Sequence, residues 1–265
     1  MVNPLGIMAL VVVLASCANN STQQERDPIE LAGLYTEMGL AYLQRGENER
    51  ARERLEKALN LDPKSANARH YLAEVYNRLG QVESADKSFL QALELTPQDP
   101  NLQNNYGAFL CGKKRYEEAL RYFKQAADNR EYRTPFLAYE NAGRCLVAAQ
   151  RYDEAEGFLK QALEQQSKLP NSLFGMAELL YQKRHYLKAR AYLERYLEVG
   201  ATSPEVLWLA IQIEGALNDQ QAVAKYGEQL TKQHADSAQA KKFLQMGKRS
   251  AAPDGGESMN PRADQ

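Results

Sequence analysis

A small set of residue types returns along this chain every thirty-four positions, and a period of that length restricts the fold to stacked copies of one small unit. Counted from Ala32, the first copy carries Tyr35, Met38, Gly39, Tyr42, Ala51, Leu55, Ala58 and Pro63. One period on, Ala66 opens a second copy with Leu72, Ala73, Tyr76, Ala85, Phe89, Ala92 and Pro97; a third from Pro100 carries Tyr106, Gly107, Leu110, Ala119, Phe123 and Ala126. The fourth starts two residues late at Phe136, with Tyr139, Gly143, Leu146, Ala155, Leu159 and Ala162, so Thr134-Pro135 reads as an insertion in the preceding turn. From Pro170 follow Met176, Ala177, Leu180, Ala189 and Leu193, and from Pro204 a degenerate copy with Leu207, Ala210, Val223 and Leu230 that reads as a cap.

These offsets resemble the tetratricopeptide repeat, a helix-turn-helix unit with small, aromatic and proline positions in this order. A small residue where the two helices of a unit cross, as at Gly39 against Ala51, permits close approach, and the large residues around it fill the space. No unit buries its apolar face alone, so neighbours stack. The predicted fold is all-α: a right-handed superhelical tetratricopeptide solenoid of six repeats starting near 32, 66, 100, 136, 170 and 204, with a short closing helix around Ala240, Phe243, Leu244 and Gly247. Charged residues at 25% and the scarcity of strand-type clusters agree with helix. A net charge of −1 lacks the basic surface that coats nucleic acid, and mixed-sign runs such as Arg45 to Arg54 suit a solvated helix face.

The first residues are of a different kind. An apolar run from Leu5 to Ala15 is short for a membrane span, which needs about twenty residues, and fits a signal segment. Leu14-Ala15-Ser16-Cys17 resembles the lipobox of bacterial lipoproteins, which implies cleavage before Cys17 and lipidation of its thiol. Several acyl chains anchor stably, at about 0.8 kcal/mol per buried methylene. Ala18 in place of an inner-membrane retention Asp points to the outer membrane; the run before the apolar stretch lacks the usual Lys or Arg. The expected organisation is a signal peptide at 1–16, a lipidated Cys and polar tether at 17–30, the solenoid at 31–248 and a disordered tail at 249–265 rich in Pro and Gly.

The sequence offers no reaction chemistry. His70, His185 and His234 stand far apart without partners at metal-ligand spacing, and no phosphate loop, nucleophile elbow or His-Glu-x-x-His is present. The reading is a binding protein that is not an enzyme and uses no cofactor, metal or small-molecule substrate. Once Cys17 is lipidated, Cys111 and Cys145 remain, on the first helices of adjacent repeats; they form either a disulfide or two small buried side chains.

In such solenoids the first helices line a concave face. By extrapolation that face holds Thr36, Leu40, Leu43, His70, Glu74, Asn77, Asn104, Ala108, Cys111, Glu140, Arg144, Phe174, Glu178, Tyr181 and Trp208. Leu40 and Leu43 would give an apolar groove in the first repeat, and Phe174, Tyr181 and Trp208 a second apolar cluster, unless neighbouring helices cover them. The candidate partner-binding residues are therefore Leu40, Leu43, Thr36, Asn104, Phe174, Tyr181 and Trp208. Thr36 and Leu40 stand where a chaperone-type carboxylate clamp needs other residues, so a partner ending in Glu-Glu-Val-Asp is not expected.

The lipobox, the tether, the six repeats and two stretches in particular resemble the PilF/PilW family of type IV pilus biogenesis and stability proteins, the secretin pilotins. The stretches are Asn104-Asn105-Tyr106-Gly107-Ala108-Phe109-Leu110 followed by Lys114-Arg115-Tyr116-Glu117-Glu118-Ala119, and Gly39-Leu40-Ala41-Tyr42-Leu43-Gln44-Arg45-Gly46. The resemblance implies an outer-membrane lipoprotein whose partner is the pilus secretin subunit. The alternative is a lipoprotein adaptor for another periplasmic assembly, in outer-membrane protein assembly or cell-wall synthesis.

Overall fold

The computed structural model describes residues 27–251; Cys17, its lipobox and most of the tether and tail lie outside them. Among the described residues there are thirteen helices and no strand. They are α1 (Pro28–Gln44), α2 (Asn48–Leu61), α3 (Ala66–Arg78), α4 (Val82–Leu95), α5 (Pro100–Gly112), α6 (Tyr116–Asp128), α7 (Pro135–Ala148), α8 (Tyr152–Gln165), α9 (Pro170–Gln182), α10 (Tyr186–Leu197), α11 (Pro204–Ala216), α12 (Gln220–Gln233) and α13 (Ala238–Ala251). Each odd-numbered helix packs chiefly on the even one that follows, giving six hairpins closed by α13. Four expected repeat starts coincide with the first residues of α3, α5, α9 and α11. The exceptions are α1, which begins four residues before Ala32, and α7, which begins at Pro135. α13 continues to Ala251, past the expected end of the solenoid at 248.

The helix ends have local causes. Proline opens α1, α5, α7, α9 and α11, where its missing N–H would have no intrahelical partner anyway. Side-chain oxygens of Asp27, Ser65, Asp99 and Ser203 accept from the free amides of the first turn. Inside each hairpin the turn is three residues long, and its middle residue is left-handed: Gly46 (φ 77°), Gly80 (74°), Lys114 (61°), Gln150 (60°), Arg184 (61°) and Asn218 (60°). The residue after it donates five positions back, as in Glu47 N to Tyr42 O at 3.0 Å and Arg115 N to Leu110 O at 2.9 Å. This closure satisfies a carbonyl at the helix end and fixes the reversal.

Packing within hairpins follows the small-against-large rule. A Cβ on Gly39 would lie 2.5 Å from Leu55 Cγ, on Gly107 2.8 Å from Phe123 Cδ1 and on Gly143 2.5 Å from Leu159 Cγ. Ala73 and Ala177 hold the same place in the second and fifth hairpins, both fully buried. The sixth hairpin inverts the pair. Ile211 stands at the small position and Gly227 at the large one, and Phe243 of α13 fills the space over Gly227. That inversion is the physical content of the degeneracy seen in the last repeat.

Candidate functional site

One repeat position on the first helices is occupied in turn by Thr36, His70, Asn104, Glu140, Phe174 and Trp208. All were expected on the concave face, but the first four are buried, because the next first helix covers them. Thr36 donates to Ala32 O of its own helix at 2.9 Å. Asn105 Nδ2 of α5 sits 2.9 Å from both His70 Nε2 and Glu74 Oε1 of α3; it donates to the carboxylate and, with the imidazole protonated on Nδ1, to the ring. Asn141 of α7 donates to Asn104 Oδ1 of α5 at 3.0 Å. Asn171 and Ser172 of α9 donate to the two oxygens of Glu140 of α7, the Ser172 hydroxyl at 2.7 Å. Polar atoms without water demand such partners, so the series pins α3 to α5, α5 to α7 and α7 to α9 and makes a seam.

Leu43 must also be withdrawn from the surface. It is 1% exposed and joins Leu55, Leu72 and Val75 in the core shared by the first two hairpins, while Leu40 is only half-buried. Nor do Phe174, Tyr181 and Trp208 form one cluster. The Phe174 ring meets Tyr196, Tyr181 meets Tyr186, and Trp208 packs against the cluster of Leu207, Ile211, Leu230 and Ala240 under Lys242, whose Nζ lies 4.8 Å from the indole.

What the first helices do present is the position one turn further on: Leu40, Glu74, Ala108, Arg144 and Glu178, half-buried or exposed. Two recesses open between them. One of about 280 Å³ lies between α3 and α5 and is lined by Glu74, Asn77 and Ala108 over the rings of Phe89 and Phe109. The other, about 240 Å³, lies between α7 and α9 and is lined by Arg144, Ala148, Asn171, Phe174 and Glu178. Burial raises the Glu178 carboxyl above its ordinary range, and Arg144 acts against that rise. Aromatic rings, small side chains and one charge of each sign, Glu74 with Arg78 and Arg144 with Glu178, suit a bound polypeptide segment.

The two recesses are separated by α5 and α7, which are joined by a disulfide between Cys111 and Cys145, Cα atoms 5.8 Å apart. Of the two outcomes open from the sequence, the bridge is the one present. Ion pairs tie the hairpins along the edge where the turns lie: Arg115 with Asp86 and Glu118, Arg151 with Glu117 and Glu154, and Lys183 with Asp153 and Glu156. No group of His, Cys, Asp and Glu side chains among the described residues is arranged to hold a metal ion. No helix among them is long and apolar enough to cross a membrane.

Stacked hairpins with a groove along their first helices define a tetratricopeptide-repeat solenoid. Models of the tetratricopeptide repeat match residues 66–99, 98–168 and 146–210, and a TPR repeat model matches 39–80. Over 241 residues the chain is 31% identical to the type IV pilus assembly protein PilF of Pseudomonas aeruginosa, a match covering 89% of this chain and 96% of that one. The solved structure of Pseudomonas aeruginosa PilF superimposes with a TM-score of 0.75 at 31% identity, covering 83% of this chain and all of that one. The structure of PilW, a widely conserved type IV pilus biogenesis factor, superimposes at 0.77 and 30% identity, covering 81% and 99%. The chain belongs to the PilF/PilW family of type IV pilus tetratricopeptide-repeat proteins.

Proposed function

We propose that this protein is an outer-membrane lipoprotein that binds the type IV pilus secretin subunit and promotes its localisation and multimerisation in the outer membrane. The observation that carries the reading is the match to PilF along 96% of that protein's length and 89% of this chain. A pilus role comes to this chain through that relationship, and the secretin as partner through the family resemblance. Cys17, outside the described residues, supplies the lipid and hence the membrane address. The groove of Leu40, Glu74, Ala108, Arg144 and Glu178 supplies the grip, and the protein works by holding a partner, without catalysis.

Co-purification tests this. A tagged full-length chain, solubilised from outer membranes, is expected to bring down the secretin subunit. Leu40→Asp combined with Ala108→Arg, both on the open face of the groove, is expected to abolish that recovery in a chain that still melts cooperatively. Recovery of a different envelope assembly in place of the secretin would replace this reading with that of a general adaptor.

A further inference from the structure

The second residue of the second helix is acidic in the first four hairpins, as Glu49, Glu83, Glu117 and Asp153, the sign that a helix start favours. Two of these acids also join neighbours: Glu117 pairs with Arg151, and Asp153 with Lys183, each in the following hairpin. The fifth hairpin departs from this. In α10 the same position is Leu187, and the residue after it, Glu118 and Glu154 in the third and fourth hairpins, is Lys188. The tie from the fifth hairpin to the sixth is made one turn further along, where Arg190 holds Glu214 and Asp219. That releases Leu187 and Lys188 from the joint.

The two residues instead line a recess of about 410 Å³ between the α9–α10 turn and the end of α11, together with Arg184, His185, Tyr186 and Leu217. Leu187 is 70% exposed, the most exposed large apolar side chain among the described residues. Apolar surface held open to water where other hairpins carry a charge marks a surface that something covers. The charge around it says what. The lining has two cations, a histidine and no carboxylate. The Arg184 and Lys188 side chains form no ion pair or hydrogen bond, because Asp153, Glu156, Glu214 and Asp219 on the flanking helices are taken by Lys183 and Arg190. Lys188 in the first turn also opposes the helix dipole, so its position does not serve the stability of α10. We infer that this recess docks an acidic segment of a partner polypeptide, which seats one large apolar side chain against Leu187 and Leu217 and sets carboxylates against Arg184 and Lys188. A concave apolar centre is filled by an inserted side chain, whereas a flat lipid surface would bridge it. The site lies on the edge where the turns lie, apart from the groove of the first helices, and does not depend on what the groove holds.

The fourth hairpin supplies the variant that tests this. Leu187→Asp with Lys188→Glu installs in α10 the acidic pair that α8 carries as Asp153 and Glu154, and is expected to melt no lower than the parent, since acids suit a helix start. Random dodecapeptides displayed on phage are selected against the full-length chain in detergent, and those that also bind the double variant are removed. The expected survivors carry Asp or Glu beside Leu, Ile, Phe or Trp. Replacing that acidic residue by alanine should weaken them about tenfold, and raising NaCl from about 0.05 to about 0.5 M should weaken them severalfold. Arg184→Gly, which leaves the left-handed turn intact, should also cost severalfold in affinity. An absence of survivors overturns the site, as do survivors without an acidic residue or survivors indifferent to salt and to Arg184→Gly. Retention of phosphatidylglycerol from mixed micelles by the parent and not by the double variant, with no peptide selected, assigns the patch to an anionic lipid and overturns the inference as well.

Discussion

A Cβ on Gly227 would stand 2.0 Å from Cζ of Phe243, so the closing helix seats its ring against a bare stretch of α12 backbone. In the earlier hairpins the same α-helical position carries Leu55, Phe89, Phe123, Leu159 or Leu193, which fill their own hairpin from within. The sixth hairpin leaves that place open and receives a residue from outside it. A solenoid has to stop somewhere, and this arrangement keys a cap to one end only.

Gly227→Val is therefore expected to expel α13. Amide exchange across residues 238–247 should accelerate by at least an order of magnitude, with α5 to α9 unchanged. Phe243→Ala, which empties the same space from the other side, should cost about 2 kcal/mol, the lower range for losing a buried aromatic ring because this one is half-exposed.

The left-handed turn residues carry a testable strain. Lys114, Gln150 and Arg184 adopt a conformation in which an L side chain costs about 1–2 kcal/mol, whereas Gly46 and Gly80 adopt it freely. Replacing each of the three by glycine should stabilise the chain by about 0.5 kcal/mol or more after glycine's own entropy loss. Gly46→Ala should destabilise by about 1 kcal/mol. Urea denaturation of the triple variant against the parent measures the gain.

The Cys111–Cys145 bridge closes a loop with a sequence separation of 34. In the chain-entropy view a closure of that size contributes about 3–4 kcal/mol. Reduction, or Cys111→Ser with Cys145→Ser, should lower the denaturation midpoint accordingly. The loss should appear first as faster exchange in α5 and α7, the helices the bridge joins.

Glu156 accepts from Lys160 of its own helix and from Lys183 of the next hairpin, both at 2.7 Å, and these bonds hold its carboxyl down to about 2 from the ordinary 4.5. The folded value lies below the unfolded one. The stabilisation is therefore present above about pH 4.5 and is lost as pH falls towards 2. Because Lys160 is half exposed and Glu156 and Lys183 keep part of their surface in water, screening holds the effect to about 0.5–1 kcal/mol. Glu156→Gln should melt slightly below the parent at pH 7 and level with it at pH 2.

The hairpin count, four of the helix starts and the close approaches at Gly39, Gly107 and Gly143 were all legible in the sequence. Each is set by contacts inside one unit, and the repeat pattern encodes those contacts. The misplacement of Thr36, His70, Asn104 and Glu140 has the opposite cause. Whether a position on a first helix faces the groove or the next helix depends on the rotation between successive units, and no unit's own pattern records that rotation. Polarity gave a clue in hindsight: His70, Asn104 and Glu140 are polar, and each pairs with a carboxamide or hydroxyl one repeat later, at Asn105, Asn141 and Ser172. Leu43 was misjudged for a related reason, since the second hairpin closes over it.

Heat-resistant secretin multimers in outer-membrane fractions decide the proposed role most directly, compared between the parent strain, a deletion strain, and the deletion carrying either the intact gene or Cys17→Ala. Restoration by the intact chain but not by Cys17→Ala, with secretin left as monomer or in the inner membrane, is the predicted result. Multimers of normal abundance and location in the deletion strain would contradict it.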